Sequence, residues 1–172
     1  MELQKGLERL NALGAAEAEG ELLKCCGSSN WARQLVALRP YSNVEVLMNA
    51  AEQIWWSLCE QDWLEAFSAH PKIGGRKAQR PQDAQAQDWS DEEQAGARGI
   101  DKATHDELAE ANRAYEEKFG YLFIVCATGK TAAEMLALLR ARLLNDPAVE
   151  LRNAAYEQHR ITRLRLEKLL NQ

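Results

Sequence analysis

The sequence has no long apolar run, no C-x-x-C pair, no excess of basic residues, four prolines and only three histidines. Each shortage removes a class of protein. A helix that crosses a bilayer needs roughly 20 consecutive apolar residues, and no stretch approaches that; the opening Met-Glu-Leu-Gln-Lys-Gly carries no signal-peptide core. The closing Leu-Leu-Asn-Gln lacks the Ser-Lys-Leu peroxisomal address, so a cytoplasmic protein is expected. The four cysteines stand at 25, 26, 59 and 126. Adjacent Cys25 and Cys26 cannot readily bridge each other, and no ligand cluster has zinc spacing, so they read as reduced packing residues and no metal is expected. With 21 Lys and Arg against 26 Asp and Glu the net charge is -5. That balance argues against nucleic acid and anionic membrane as partners.

What is present fits one globular domain over residues 1–172, with 46% hydrophobic and 27% charged residues. Apolar residues recur at spacings of three and four rather than two, which makes the chain all-α. The expectation is a compact single-domain multi-helix bundle with one short extended buried segment. An opening segment from Leu10 to Cys26 ends in Gly27-Ser28-Ser29-Asn30, which caps a helix from about Trp31 that closes at Arg39-Pro40. Ser42-Asn43 cap a long helix whose Val46, Leu47, Ala50, Ile54, Trp55 and Leu58 share a face. Asp62 restarts the chain as a short helix leading to His70. Residues 76–88, with several Gln and no periodicity, read as an exposed loop able to act as a lid. Ser90 with Glu93 matches a capping box that opens a helix through Ala95 to Arg98. A helix through Leu108, Ala111, Tyr115 and Phe119 stops at Gly120, and Tyr121 to Ala127 reads as extended and buried. Thr131 with Glu134 opens a helix to about Asn145, and Asp146-Pro147 starts a long last one.

Three residues carry candidate chemistry. His70 precedes Pro71, which pushes it out of helical geometry; Ile73 offers apolar cover and Gly74-Gly75 let the chain turn. It is either a helix-ending structural histidine or a proton-transfer group at a rigid wall. Glu93 is the N3 partner of its capping box, a role compatible with facing a cavity and sharing a substrate proton with His70. On the last helix Leu151, Ala154, Gln158, Ile161, Leu164, Arg165 and Leu169 fall within one face, while Arg163 points away. A buried Arg165 must either hold a structural carboxylate or bind an anionic ligand. His105 and His159 sit among polar residues and read as surface. Ser90 has no Ser-His-acid signature around it. Gly129-Lys130-Thr131 lacks the earlier glycine of a phosphate loop, since position 124 is Ile.

Jointly these residues resemble the 2-oxo-4-hydroxy-4-carboxy-5-ureidoimidazoline (OHCU) decarboxylases, which act last between urate and allantoin. The resemblance runs nearly end to end through Cys25-Cys26-Gly-Ser-Ser-Asn-Trp31, Arg39-Pro-Tyr-Ser42, Phe67-x-x-His70-Pro-x-Ile-Gly74, Ser90-x-x-Glu93-Gln94, Phe119-Gly-x-x-Phe-Ile-Val-Cys-Ala127 and Ile161-x-x-Leu-Arg165-Leu166. It implies a cofactor-free, all-helical enzyme, usually a homodimer, that takes a small ureidoimidazoline carboxylate and gives (S)-allantoin. It places the catalytic histidine on His70, with Glu93 and Arg165 also in the chemistry. Its substrate contacts fall on Pro71, on Ser90, Asp91, Glu92, Glu93 and Gln94, on Phe123, Ile124, Val125, Cys126 and Ala127, and on Arg165. Loss of carbon dioxide leaves negative charge beside a carbonyl of the substrate ring, so the substrate serves as its own electron sink. Two other readings compete. One is a helical metal phosphohydrolase using His70, His105, Asp106 and Asp146. The other is a non-catalytic interaction module with Trp55, Trp56 and Trp63 as its patch.

Overall fold

The computed structural model describes residues 2–73, 83–97 and 99–172. Among them are nine α-helices and no strand: α1 Glu2–Ala12, α2 Ala15–Cys25, α3 Ser29–Ala37, α4 Val44–Ser57, α5 Glu60–Ser68, α6 Ala84–Glu93, α7 Lys102–Phe119, α8 Ala132–Arg142 and α9 Pro147–Leu170, with one 3-10 turn at Ala95–Ala97. No described helix is long and apolar enough to cross a membrane.

Local chemistry sets most of the boundaries. Ser28 accepts from the Trp31 N–H, Asn43 from Val46, and Asp146 from Ala148. Thr131 and Glu134 form the expected capping box, and Gly120 ends α7 at φ 81°, a left-handed turn that costs glycine little. The segment expected from Leu10 to Cys26 is broken, however. Gly14 starts α2 and donates its N–H to Glu17 Oε2 at 3.1 Å. In α4 the buried residues are Leu47, Ala51, Ile54 and Trp55, while Val46 is 43% exposed. The true stripe steps from 47 to 51, 54 and 55, so Val46 falls just outside it.

The larger correction concerns α6. Asp83 accepts from the Gln85 N–H and opens a helix that runs to Glu93. Residues 84–88 are therefore helical, and Ser90 and Glu93 close the helix rather than open one. Ser90 Oγ donates back to the Ala86 carbonyl at 2.9 Å, the bond of a residue inside a helix. The rest of the expected lid, with Gly74 and Gly75, lies outside the described residues, as does Arg98.

The chain divides into two compact units, residues 1–66 with 159–172, and residues 67–158. In the first, α2 packs on α3 and α3 on α4, with α1 also touching α4. Trp31 donates its ring N–H to the Ala51 carbonyl at 3.0 Å and Trp63 to Trp55 at 2.9 Å. Trp55 and Trp63 are buried, and the rings of Trp55 and Trp56 each lie 5.9 Å from that of Trp63. Two members of the proposed tryptophan patch, Trp55 and Trp63, are thus core residues, while Trp56 is 37% exposed at its edge. Arg9 holds the chain end through the Leu169 carbonyl at 3.0 Å, and Gly6 lets the backbones close, since a Cβ there would sit 1.9 Å from the Leu170 oxygen.

In the second unit α7 packs on α8 around buried Leu108, Tyr115, Phe123, Val125, Met135 and Leu139. Residues 122–127 are non-helical and fully enclosed, in agreement with the extended buried segment the sequence predicts. A polar cluster sits beside this core. Glu150, with no exposed surface, accepts from Arg142 Nε at 2.7 Å, from Asn145 Nδ2 at 2.8 Å and from the Tyr115 hydroxyl. Burial pushes the Glu150 carboxyl up, but the bonds from Arg142, Tyr115 and Asn145 outweigh it and hold the group below its ordinary range.

Candidate functional site

The candidate site is built on the turn after α5. The His70 N–H bonds to the Phe67 carbonyl at 3.1 Å, and Pro71 prevents the helix from continuing. The imidazole is 8% exposed and its Nε2 lies 2.7 Å from Oε1 of Gln158 on α9. Pro71 is buried, and its carbonyl accepts from Gln94 Nε2 at 3.4 Å, which joins this turn to the end of α6. Two residues on, Ile73 enters the core and its carbonyl faces Asn112 Nδ2 at 3.4 Å.

The end of α6 presents its residues unequally. Ser90 and Glu93 are buried and Gln94 is half-buried, whereas Asp91 and Glu92 face solvent. Glu93 thus puts a buried carboxylate at the C-terminal end of a helix, where the macrodipole disfavours negative charge by about 0.3–1 kcal/mol. Immediately after it, the 3-10 turn presses on the loop that follows the buried segment. A Cβ on Gly96 would lie 1.9 Å from the Lys130 carbonyl oxygen.

Three contacts hold residues 123–127 in place. The Ile124 carbonyl accepts from Arg142 Nη1 at 2.7 Å, the Cys126 N–H donates to Glu157 Oε2 at 2.6 Å, and the Cys126 carbonyl accepts from Lys130 Nζ at 2.8 Å. Arg142 also lies over the Phe123 ring, 4.7 Å from its centroid. The Cys126 amide is therefore engaged within the protein.

His70, Pro71, Gln94 and the 123–127 segment thus belong to one unit, tied through α6, α8 and the first half of α9. Arg165 belongs to the other unit. It is buried there, as its helical position predicts, with Nη1 3.3 Å from the Lys24 carbonyl. Beside it, burial raises both thiols, Cys25 strongly and Cys26 to about 12, so neither is a nucleophile at neutral pH. His105 is exposed, as expected. His159 is not a plain surface residue: it lines a groove of about 430 Å³ with Met48, Glu52, Trp55 and Thr162, and desolvation lowers its pKa. Trp56 covers it from 6.1 Å.

Among the described residues no three His, Cys, Asp or Glu side chains form a group able to hold a metal ion. His70, His105, Asp106 and Asp146 do not assemble as the phosphohydrolase reading requires. Sequence reasoning missed Gln158, Glu157 and Arg142 as site residues. Gln158 had a signal, a polar residue on an apolar stripe; Arg142 read only as a basic residue in the last turn of its helix.

Against known proteins, the family model described as OHCU decarboxylase matches residues 11–167. The uric acid degradation bifunctional protein TTL of Arabidopsis thaliana is 42% identical over 154 residues, which cover 89% of this chain and 47% of that protein. The chain spans about half the length, or less, of the bifunctional relatives it matches. The 2-oxo-4-hydroxy-4-carboxy-5-ureidoimidazoline decarboxylase of Amia calva is 30% identical over 132 residues, covering 77% of this chain and 75% of that one. A crystal structure of OHCU decarboxylase in the presence of (S)-allantoin superimposes with a TM-score of 0.75 at 39% identity, covering 89% of this chain and 99% of that one. With the family model running through nearly the whole length, this chain belongs to the OHCU decarboxylase family.

Proposed function

We propose that this protein decarboxylates 2-oxo-4-hydroxy-4-carboxy-5-ureidoimidazoline to (S)-allantoin in urate catabolism, without a cofactor, as a homodimer in the cytoplasm, with residues 1–172 acting as one catalytic domain. Family membership supports the reaction, and the family match across both units supports the single domain. The observation that carries the chemistry is the buried His70 imidazole, fixed on one side by Gln158 and next to the Pro71–Gln94 contact.

The reaction asks little of covalent chemistry. The carbon–carboxylate bond breaks, carbon dioxide leaves, and the electron pair is taken up by the unsaturated ring beside it. What remains is to hold the substrate, exclude water and deliver one proton to one face of a carbon. In this reading His70 delivers it. Glu93 accepts ring or ureido N–H bonds and sets the orientation. Amides of Phe123, Ile124, Val125 and Ala127 meet substrate oxygens, with Cys126 shaping the wall. Pro71, Ser90 and Gln94 complete the contacts, and Asp91 and Glu92 act through their backbone, since their side chains face solvent. Arg165 is assigned to a substrate anion on the resemblance of its motif.

The test uses freshly generated urate-oxidation intermediate and circular dichroism to follow optically active allantoin. Fast, chelator-resistant formation of one enantiomer, lost in a folded His70→Asn variant, is the expected result. Racemic allantoin at the spontaneous rate from folded wild-type protein would overturn the reading. Sedimentation of the same sample tests the dimer.

A further inference from the structure

We propose that Gln158 is the positioning residue for His70: its amide oxygen takes the Nε2 proton, so the proton given to substrate travels on Nδ1. The inference rests on the decarboxylase reading and deepens it by assigning the atom and its holder. The atom facing Nε2 at 2.7 Å is Oε1, which only accepts, so Nε2 must donate and the neutral ring is the Nε2–H tautomer. Both partners are buried, and Gln158 has no exposed surface, so the bond is shielded from competing water. A neutral amide also suits the task. It fixes the tautomer, as a carboxylate would, without adding a second negative charge to a pocket that must admit a carboxylate substrate.

The adjacent residue strengthens the argument. Glu157 holds the Cys126 amide at 2.6 Å while Gln158 holds His70, so one step of α9 sets the spacing between the proton donor and the backbone wall of the site. The proton balance is simple. The carboxylate leaves as carbon dioxide, the electron pair left on the ring forms a new C–H bond with the Nδ1 proton, and solvent reprotonates Nδ1. One proton is consumed per turnover, and Nε2 keeps its own throughout.

The experiment is nitrogen-15 NMR of histidine-labelled full-length protein, with His70 assigned by His70→Asn, together with pH–rate profiles of wild type, Gln158→Met and Gln158→Glu. Wild type is expected to show neutral His70 protonated on Nε2. Gln158→Met should lose this single tautomer and lower kcat by about ten- to a hundred-fold, the usual cost of an orienting partner, with KM nearly unchanged. Gln158→Glu should keep the tautomer, raise the His70 titration and move the alkaline limb of kcat/KM, where the proton donor is lost, upward with it. An Nδ1–H tautomer in wild type, or a Gln158→Met enzyme with unaltered kcat and profile, would overturn the proposal. If Gln158→Met does not fold, the wild-type tautomer and the Gln158→Glu profile still decide. A protein that shows the tautomer but does not accelerate decarboxylation would refute the functional reading and leave the assignment of the proton standing.

Discussion

Replacing Arg142 by Met keeps the aliphatic stem and removes the guanidinium, and the structure sets the size of the loss. Glu150 is fully enclosed and Arg142 only 12% exposed, with Nη2 2.5 Å from the carboxylate. Removing one partner of such a pair costs about 3–5 kcal/mol, because the other charge is left buried. Here Tyr115 and Asn145 still donate to Glu150, which pulls the expectation toward the low end. The hydrogen bond to the Ile124 carbonyl and the contact over Phe123 are lost as well, each worth roughly 1 kcal/mol and not additive with the first. The expected cost is about 3–4 kcal/mol, or a fall in Tm on the order of 10 °C for a chain of this size. Urea denaturation of wild type, Arg142→Met, Glu150→Leu and the double variant measures it. The double variant should recover about 1–3 kcal/mol relative to the sum of the single losses. Single losses below about 1 kcal/mol, or strict additivity, would show that the cluster does not hold the 123–127 segment as argued.

Three further outcomes follow from the same contacts. The Glu150 carboxyl is depressed below its ordinary 4.5, so its stabilisation is full above that pH and is lost as pH falls through the lower folded value; acid should therefore lower the urea midpoint of wild type more than that of Glu150→Gln. Gly96→Ala should cost about 1–3 kcal/mol, since its Cβ meets backbone at 1.9 Å, whereas Gly20→Ala, at an exposed position of α2 with nothing within 4 Å, should gain about 0.5–1 kcal/mol; thermal melts that rank the two the other way would refute the packing at Lys130. A thiol reagent should label exposed Cys59 promptly and reach Cys25, Cys26 and Cys126 only on unfolding, as counted by mass spectrometry.

The fold class and most helix ends were legible because their causes are local. Asn43, Thr131 with Glu134, and Gly120 each act within four residues of the boundary they make. The same locality misled at α6. Ser90-x-x-Glu93 has the letters of a capping box, yet Asp83 starts that helix seven residues earlier, and a polar helix with little apolar period gives no signal of its own. The functional residues divide along the same line. His70 could be picked out because Pro71 stands beside it. The groups that hold the site lie far away in sequence: Gln158 is 88 residues from His70, Glu157 is 31 from Cys126, and Arg142 is 18 from Ile124. One kind of pattern does cross such gaps. A polar side chain on an otherwise apolar stripe is carried into the interior by its neighbours and must find a partner there, because an unpaired buried polar group costs about 1–3 kcal/mol. On α9 both Gln158 and Arg165 stand on such a stripe and both are buried. A reading that treats every polar residue on a buried stripe as a demand for a partner nominates the two together, without knowing what either one meets. It passes over Glu157, which lies one step off the stripe and reaches the Cys126 amide all the same.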